Sequence, residues 1–132
     1  MKYYTASAHA VAATALRALG DLPAARTRVD TAFRLAKEMG AFTPIAEVLI
    51  TSAQIAVAEN AYDRADRELR EADDLLIVDG DDRLRGSMWL VRADMADDPR
   101  LRRDCLSRAL THFQISGTYE AADVQKKLAE LG

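Results

Sequence analysis

The residues of this chain whose chemistry could go beyond packing are two histidines, one cysteine and a set of clustered aspartates. Cys105 and His112 lie seven positions apart, two helical turns, which would put them on one face about 10 Å from each other. A nucleophilic thiol needs its base within hydrogen-bond reach, so Cys105 is expected to be a buried structural residue. His9 has no serine or cysteine at a useful spacing. Asp79, Asp81 and Asp82 flank Gly80, and Asp97-Asp98 follow; such carboxylates could hold calcium or magnesium. The calcium-loop spacing and its terminal glutamate are missing, and helix capping with a favourable helix dipole accounts for these aspartates. Arg100, Arg102, Arg103 and Arg108 form a basic cluster offset by Asp97, Asp98 and Asp104, the pattern of a solvated, salt-bridged face. The expectation is a chain that is not an enzyme, with no catalytic residue, metal or cofactor.

Composition narrows the classes further. At 132 residues the chain has the length of one domain, enough to bury roughly two thirds of its unfolded surface. Hydrophobic content of 49% beside 30% charged residues fits a folded, soluble chain. A net charge of −3 argues against a nucleic-acid surface. One cysteine leaves no internal disulfide and fits a reducing, cytoplasmic compartment. The opening MKYYTASAHAVAATALRALG carries one early lysine and a weak apolar stretch, so a folded helix is expected there and not a signal peptide. No apolar run is long enough to span a membrane.

The elements that would position any site are helices. Breaks fall at Gly20-Asp21-Leu22-Pro23, Gly40-Ala41-Phe42-Thr43-Pro44, Asn60, Asp79-Gly80-Asp81-Asp82, Asp97-Asp98-Pro99 and Ser116-Gly117-Thr118. Between them, apolar residues recur at spacings of three and four. The pattern predicts seven helices, about 3–19, 22–39, 44–59, 61–78, 82–97, 99–115 and 119–131. Pro23, Pro44 and Pro99 suit first turns, Thr43 and Asp98 can cap, and Gly40 and Gly117 suit left-handed helix ends. Phe33, Phe42 and Phe113 are expected in the core or anchoring loops.

A period underlies these helices. Ala13, Ala53 and Ala93 recur every forty positions, with His9, Leu49 and Trp89 four places before them and Leu16, Ala56 and Ala96 three after. Ala25, Val29 and Ala32 repeat as Ala65, Leu69 and Ala72 at the same interval, then as Arg102, Leu106 and Ala109 after a step of thirty-seven. Self-similarity at such a period marks a stacked helical array. The last helix, with Ala121, Val124, Leu128 and Leu131 on one side and lysines and glutamates on the other, reads as the polar-faced terminal element such arrays need.

These residues resemble tetratricopeptide repeats. That family places a bulky residue four before a small one in its first helix, as Trp89 and Ala93 or Leu49 and Ala53 do. A turn with Gly or Asn follows, as at Gly20-Asp21 and Asn60-Ala61-Tyr62, and the second helix carries a small–large–small set such as Ala25-Val29-Ala32. The repeat here is longer than the family's usual unit, His9 stands where an aromatic is usual, and Arg102 stands where a small residue is usual. The longer, irregular form resembles arrays at the C-terminal ends of bacterial transcription regulators and signalling ATPases. The resemblance implies an all-α, right-handed α-solenoid in one domain over 1–132: antiparallel helical hairpins at about 3–39, 44–78 and 82–115 with a capping helix at about 119–131.

What the family implies about function is a groove lined by first helices. Carried over by the repeat, its positions are Ser7, Ala10, Thr14 and Arg17, then Glu47, Ile50, Gln54 and Val57, then Ser87, Leu90 and Asp94. Arg17, Glu47 and Gln54 would orient a peptide or helix, and Ile50, Val57 and Leu90 would bury against it. The expected partner is a protein or peptide, including a second copy of the chain, and neither nucleic acid nor membrane. The alternative is the ligand-sensing or oligomerisation domain of a bacterial transcription regulator. Trp89, by its repeat position, is expected between helices and not as an exposed anchor.

Overall fold

The computed structural model describes residues 2–77 and 80–132, with side chains from Thr5 onward. Among the described residues there are seven α-helices and no strand: α1 Lys2–Ala18, α2 Leu22–Met39, α3 Phe42–Ala58, α4 Tyr62–Leu75, α5 Asp82–Met95, α6 Pro99–Ser116 and α7 Glu120–Glu130. No described helix is long and apolar enough to cross a membrane. The chain divides into two compact units, Met1–Asp79 and Gly80–Gly132. In the first, α1 packs on α2, α3 on α4, and α3 also touches α1 and α2; in the second, α6 packs on both α5 and α7.

The helix ends repeat as the core positions do. Gly20 and Asn60 both adopt left-handed backbone, φ +84° and +61°. The N–H of Gly20 donates to Arg17 O and that of Asp21 to Leu16 O; one period later, Asn60 donates to Val57 O and Ala61 to Ala56 O. Each pair satisfies carbonyls left open at a helix end. Gly40 and Gly117 close α2 and α6 in the same left-handed region, φ +70° and +69°. Asp98 caps α6 as expected, its carboxylate accepting from Arg100 N at 2.7 Å and Leu101 N at 3.1 Å.

Thr43 does not cap. Helix α3 begins at Phe42, before the expected 44, and its N-cap, Ala41, makes no side-chain bond. Pro44 is thus the third helical residue. The first four N–H groups of a helix have no partner within it, so proline costs no bond there and marks the start only to within a turn. Helix α4 ends at Leu75 and α5 at Met95, each short of the expected 78 and 97. Val78 and Asp79 lie outside the described residues.

Alanines close the first unit. Ala6, Ala10 and Ala13 of α1 meet Ala25, Val29, Ala32 and Ala36 of α2 together with Val48 and Ile55 of α3, all buried, with Leu16, Phe33, Leu35 and Ile45 at the edge. Small side chains let the axes approach closely, and fully buried Val29 and Ile55 each contribute about 1.5–3 kcal/mol. His9 closes one margin of this seam, its Nδ1 accepting from Arg28 at 3.1 Å.

A polar stitch joins α2, α3 and α4. The Arg26 guanidinium donates to Ser52 Oγ at 2.6 Å, to the Ser52 carbonyl at 3.3 Å and to Glu59 at 2.7 Å. Ser52 is a buried polar residue, and the Glu68 carboxyl beside this stitch lies 3.4 Å from Arg64 Nε. Burial pushes the Glu68 carboxyl above its ordinary range, and Ser52, Arg64 and Arg26 oppose that shift only in part.

The second unit is built around Phe113. Ala93, Cys105, Leu106, Ala109, Phe113 and Val124 form its buried core, flanked by Trp89, Leu90, Leu110, Ala121, Leu128 and Leu131. The four apolar positions expected of the last helix all face this core, while Lys126 and Lys127 stay exposed. Gly86 makes room for the ring: a Cβ at that position would lie 2.6 Å from Phe113 Cε1. Polar contacts brace the margins, an ion pair from Arg83 to Glu120 at 3.0 Å and a hydrogen bond between His112 Nδ1 and Asp82 at 2.8 Å.

Candidate functional site

The first-helix face of the first unit brings together part of the expected groove. Ser7 and Ala10 of α1 share a crevice with Glu47 of α3, closed by Ala6, Pro44 and Val48. Its free volume of about 10 Å³ is no larger than one water molecule needs. A partner would therefore lie over this seam and not within it. Thr14 is exposed, and its hydroxyl donates to Ala10 O at 3.1 Å. Arg17, Gln54 and Val57 are half-buried, and Arg17 Nε is buried without a partner.

Ile50 departs from expectation. It is 3% exposed, so it belongs to the packed interior and offers no surface to a ligand. The spacing that placed it beside Glu47 and Gln54 also fits the inward stripe of α3, where Ala46, Leu49, Ala53 and Ile55 are buried too. In the second unit, Leu90 packs at the edge of the core, the Ser87 hydroxyl is turned onto its own helix at Arg83 O, 3.2 Å away, and Asp94 is exposed.

The residues that suggested chemistry are occupied in packing. Cys105 is 3% exposed, and burial raises its thiol above the ordinary range, with Asp104 adding to the shift. His112 Nδ1 hydrogen-bonds Asp82 at 2.8 Å. Asp81 caps α5 through Leu84 N at 3.0 Å. Among the described residues, no three His, Cys, Asp or Glu side chains come together as metal ligands; Asp79 lies outside them. In the arginine cluster, Arg108 pairs with Asp104 at 3.1 Å and Arg103 donates to Leu131 O at 3.1 Å.

Trp89 holds an unforeseen arrangement. Its half-buried ring lies against the core, with the guanidinium carbons of Arg92 and Arg108 at 4.6 and 5.0 Å from the ring centroid. Planar guanidinium groups stack well on the indole face. The arginines therefore shield a ring that the core covers only in part.

A cleft in the first unit was also missed. Phe33 and Lys37 near the end of α2, Phe42 and Ile45 at the start of α3, and Glu71, Asp74 and Leu75 at the end of α4 line an open space of about 310 Å³. Phe42 is 53% exposed, so it neither joins the core nor anchors the loop against it. The spacing Phe42–Ile45–Leu49 resembles an inward stripe, which hid it. A usable signal was present in α4, whose last turn carries no basic residue although Asp73 and Asp74 sit at the negative end of the helix dipole. No protein-family model, curated protein or solved structure matches the chain.

Proposed function

We propose that this chain is a non-catalytic protein-interaction module, a tetratricopeptide-like right-handed solenoid of three antiparallel hairpins with α7 as its cap. The observation that carries the reading is the repetition of the helix end at Gly20-Asp21 and Asn60-Ala61, bond for bond, one period apart. Beside it stand the buried alanines Ala13, Ala53 and Ala93 at the same interval. Two first helices in contact, α1 and α3, then offer one face to a partner. Ser7, Arg17, Glu47, Gln54 and Val57 are half-buried there. They suit a peptide or helix, including one from a second copy, laid across the seam: charges fix the register and Val57 supplies burial. Cys105 as a lone thiol fits work in a reducing bacterial cytoplasm.

Site-specific photo-crosslinking tests this. A benzophenone side chain at Glu47 or Gln54 should capture a protein or peptide, or a second copy, in living cells. The same group at Arg70, exposed on α4, is the control. Equal capture from all three positions, or none from Glu47 and Gln54, overturns the reading.

A further inference from the structure

The cleft at Phe42 carries an inference that does not depend on the first-helix face. Its floor and walls are apolar, from Phe33, Phe42, Ile45 and Leu75. At about 310 Å³ it stands at the low end of the range for ligand clefts, about 300–1,000 Å³. It is open to solvent, with Phe42 half exposed, so an occupant would stay partly wet. That suits one side chain projecting from a longer partner better than an enclosed small molecule.

Charge selects the partner. Glu71 and Asp74 line it and are exposed to solvent. The carbonyl end of α4 adds negative potential at the same place, with no basic side chain in its last turn. Lys37 is the one cation of the lining, and its ammonium sits 5.5 Å from the Phe33 ring centroid. That contact places a cation on an aromatic face inside this cleft. An anionic lipid surface or a nucleic acid would meet two carboxylates here. A second copy would bring a net charge of −3 with it.

We propose that this cleft docks a cationic amphipathic helix of a partner protein. One aromatic or branched apolar side chain would seat against Phe42 and Ile45, and a neighbouring Lys or Arg would meet Glu71 and Asp74. Burial of the anchor supplies the affinity, and the carboxylates set orientation and association rate. So small a site makes a weak, transient contact.

The test is a nuclear magnetic resonance titration of the ¹⁵N-labelled full chain with two synthetic helical peptides. Both present leucine and phenylalanine on one face; one flanks them with lysines and the other with glutamates. The lysine peptide should shift amides near residues 33–37, 42–45 and 71–77, and the glutamate peptide should bind about tenfold more weakly or not at all. Phe42→Ser and the charge reversal Glu71→Lys with Asp74→Lys should each weaken binding about tenfold. Ile115→Ser, at an exposed apolar residue of the second unit, should leave it unchanged. Because the charge reversal touches no buried residue, it remains decisive if Phe42→Ser perturbs folding. Equal binding of both peptides, or shifts centred on Ser7 and Glu47, overturns the proposal. So does a dimer in sedimentation that Phe42→Ser dissociates, since it would make the occupant a second copy.

Discussion

In the first unit the α1–α2 seam is closed by alanine against alanine, with Ala6 and Ala36 among its buried members. In the second, the equivalent places hold the least alike pair available, Gly86 and Phe113. Ala6, Ala46 and Gly86 follow one another at the full period, and Ala36, Leu76 and Phe113 at one full and one shortened step, and all six are buried. As the second-helix residue grows from Ala to Leu to Phe, the first-helix residue ends at glycine. One spacing therefore accepts two packing solutions. The first stands beside a polar stitch of Arg26 with Ser52 and Glu59, and the second spends its volume on one ring.

The largest test of this contrast is Phe113→Ala, which should cost about 3–5 kcal/mol by leaving a cavity in the second unit. Trp89, the chain's one tryptophan, lies in that unit, so its fluorescence in urea reports the loss. A midpoint that does not move would break the claim that Phe113 organises this core. Gly86→Ala should come next. Overpacking costs about 1–3 kcal/mol, against a gain of about 1 kcal/mol in helix propensity. The sign should be destabilising, and Phe113→Leu in the same chain should recover part of the loss. Were Gly86→Ala stabilising on its own, the ring would have moved aside freely and the pair would not be matched.

In the first unit, Ser52→Ala should cost about 1 kcal/mol, because Arg26 keeps Glu59 but loses its bond to the hydroxyl. Unfolding followed by circular dichroism would read this. The smallest effect concerns pH. The raised Glu68 carboxyl means that the folded state binds a proton more readily than the unfolded chain. Stability therefore falls as pH rises from the ordinary value of 4.5 through the higher folded one. Glu68→Gln should flatten that fall relative to the parent chain. Urea titrations at mildly acidic and neutral pH compare the two, and an unchanged difference would show that Ser52 and the arginines compensate burial in full.

Much of this was legible from spacing. Helix positions follow from apolar periodicity, and Gly40, Gly117 and Asp98 act at the ends where their chemistry suits. Ala13, Ala53 and Ala93, which share the recurring interval, are all buried. Less was legible of the surface. Ile50 illustrates why: a period assigns a residue to a helix face, but which face is covered depends on neighbours distant in sequence. Arg102, in a core register by spacing, is exposed, so the shortened last step aligns Leu106 and Ala109 but not the residue before them. The arginines over Trp89 come from different helices, and the Phe42 cleft joins three helix ends. No local pattern encodes the first, and the unneutralised last turn of α4 is the one local trace of the second.

The Gly86–Phe113 contact also couples the two positions as sites of substitution. With alanine at 86, a change to phenylalanine at 113 would force a Cβ to within 2.6 Å of the ring. With glycine already present, the ring enters a space prepared for it, after a single step costing about 1 kcal/mol in helix propensity. Glycine first and phenylalanine second is therefore the milder order of substitution. With the ring in place, alanine at 86 meets it at the overpacking cost given above, so the two positions are best varied together.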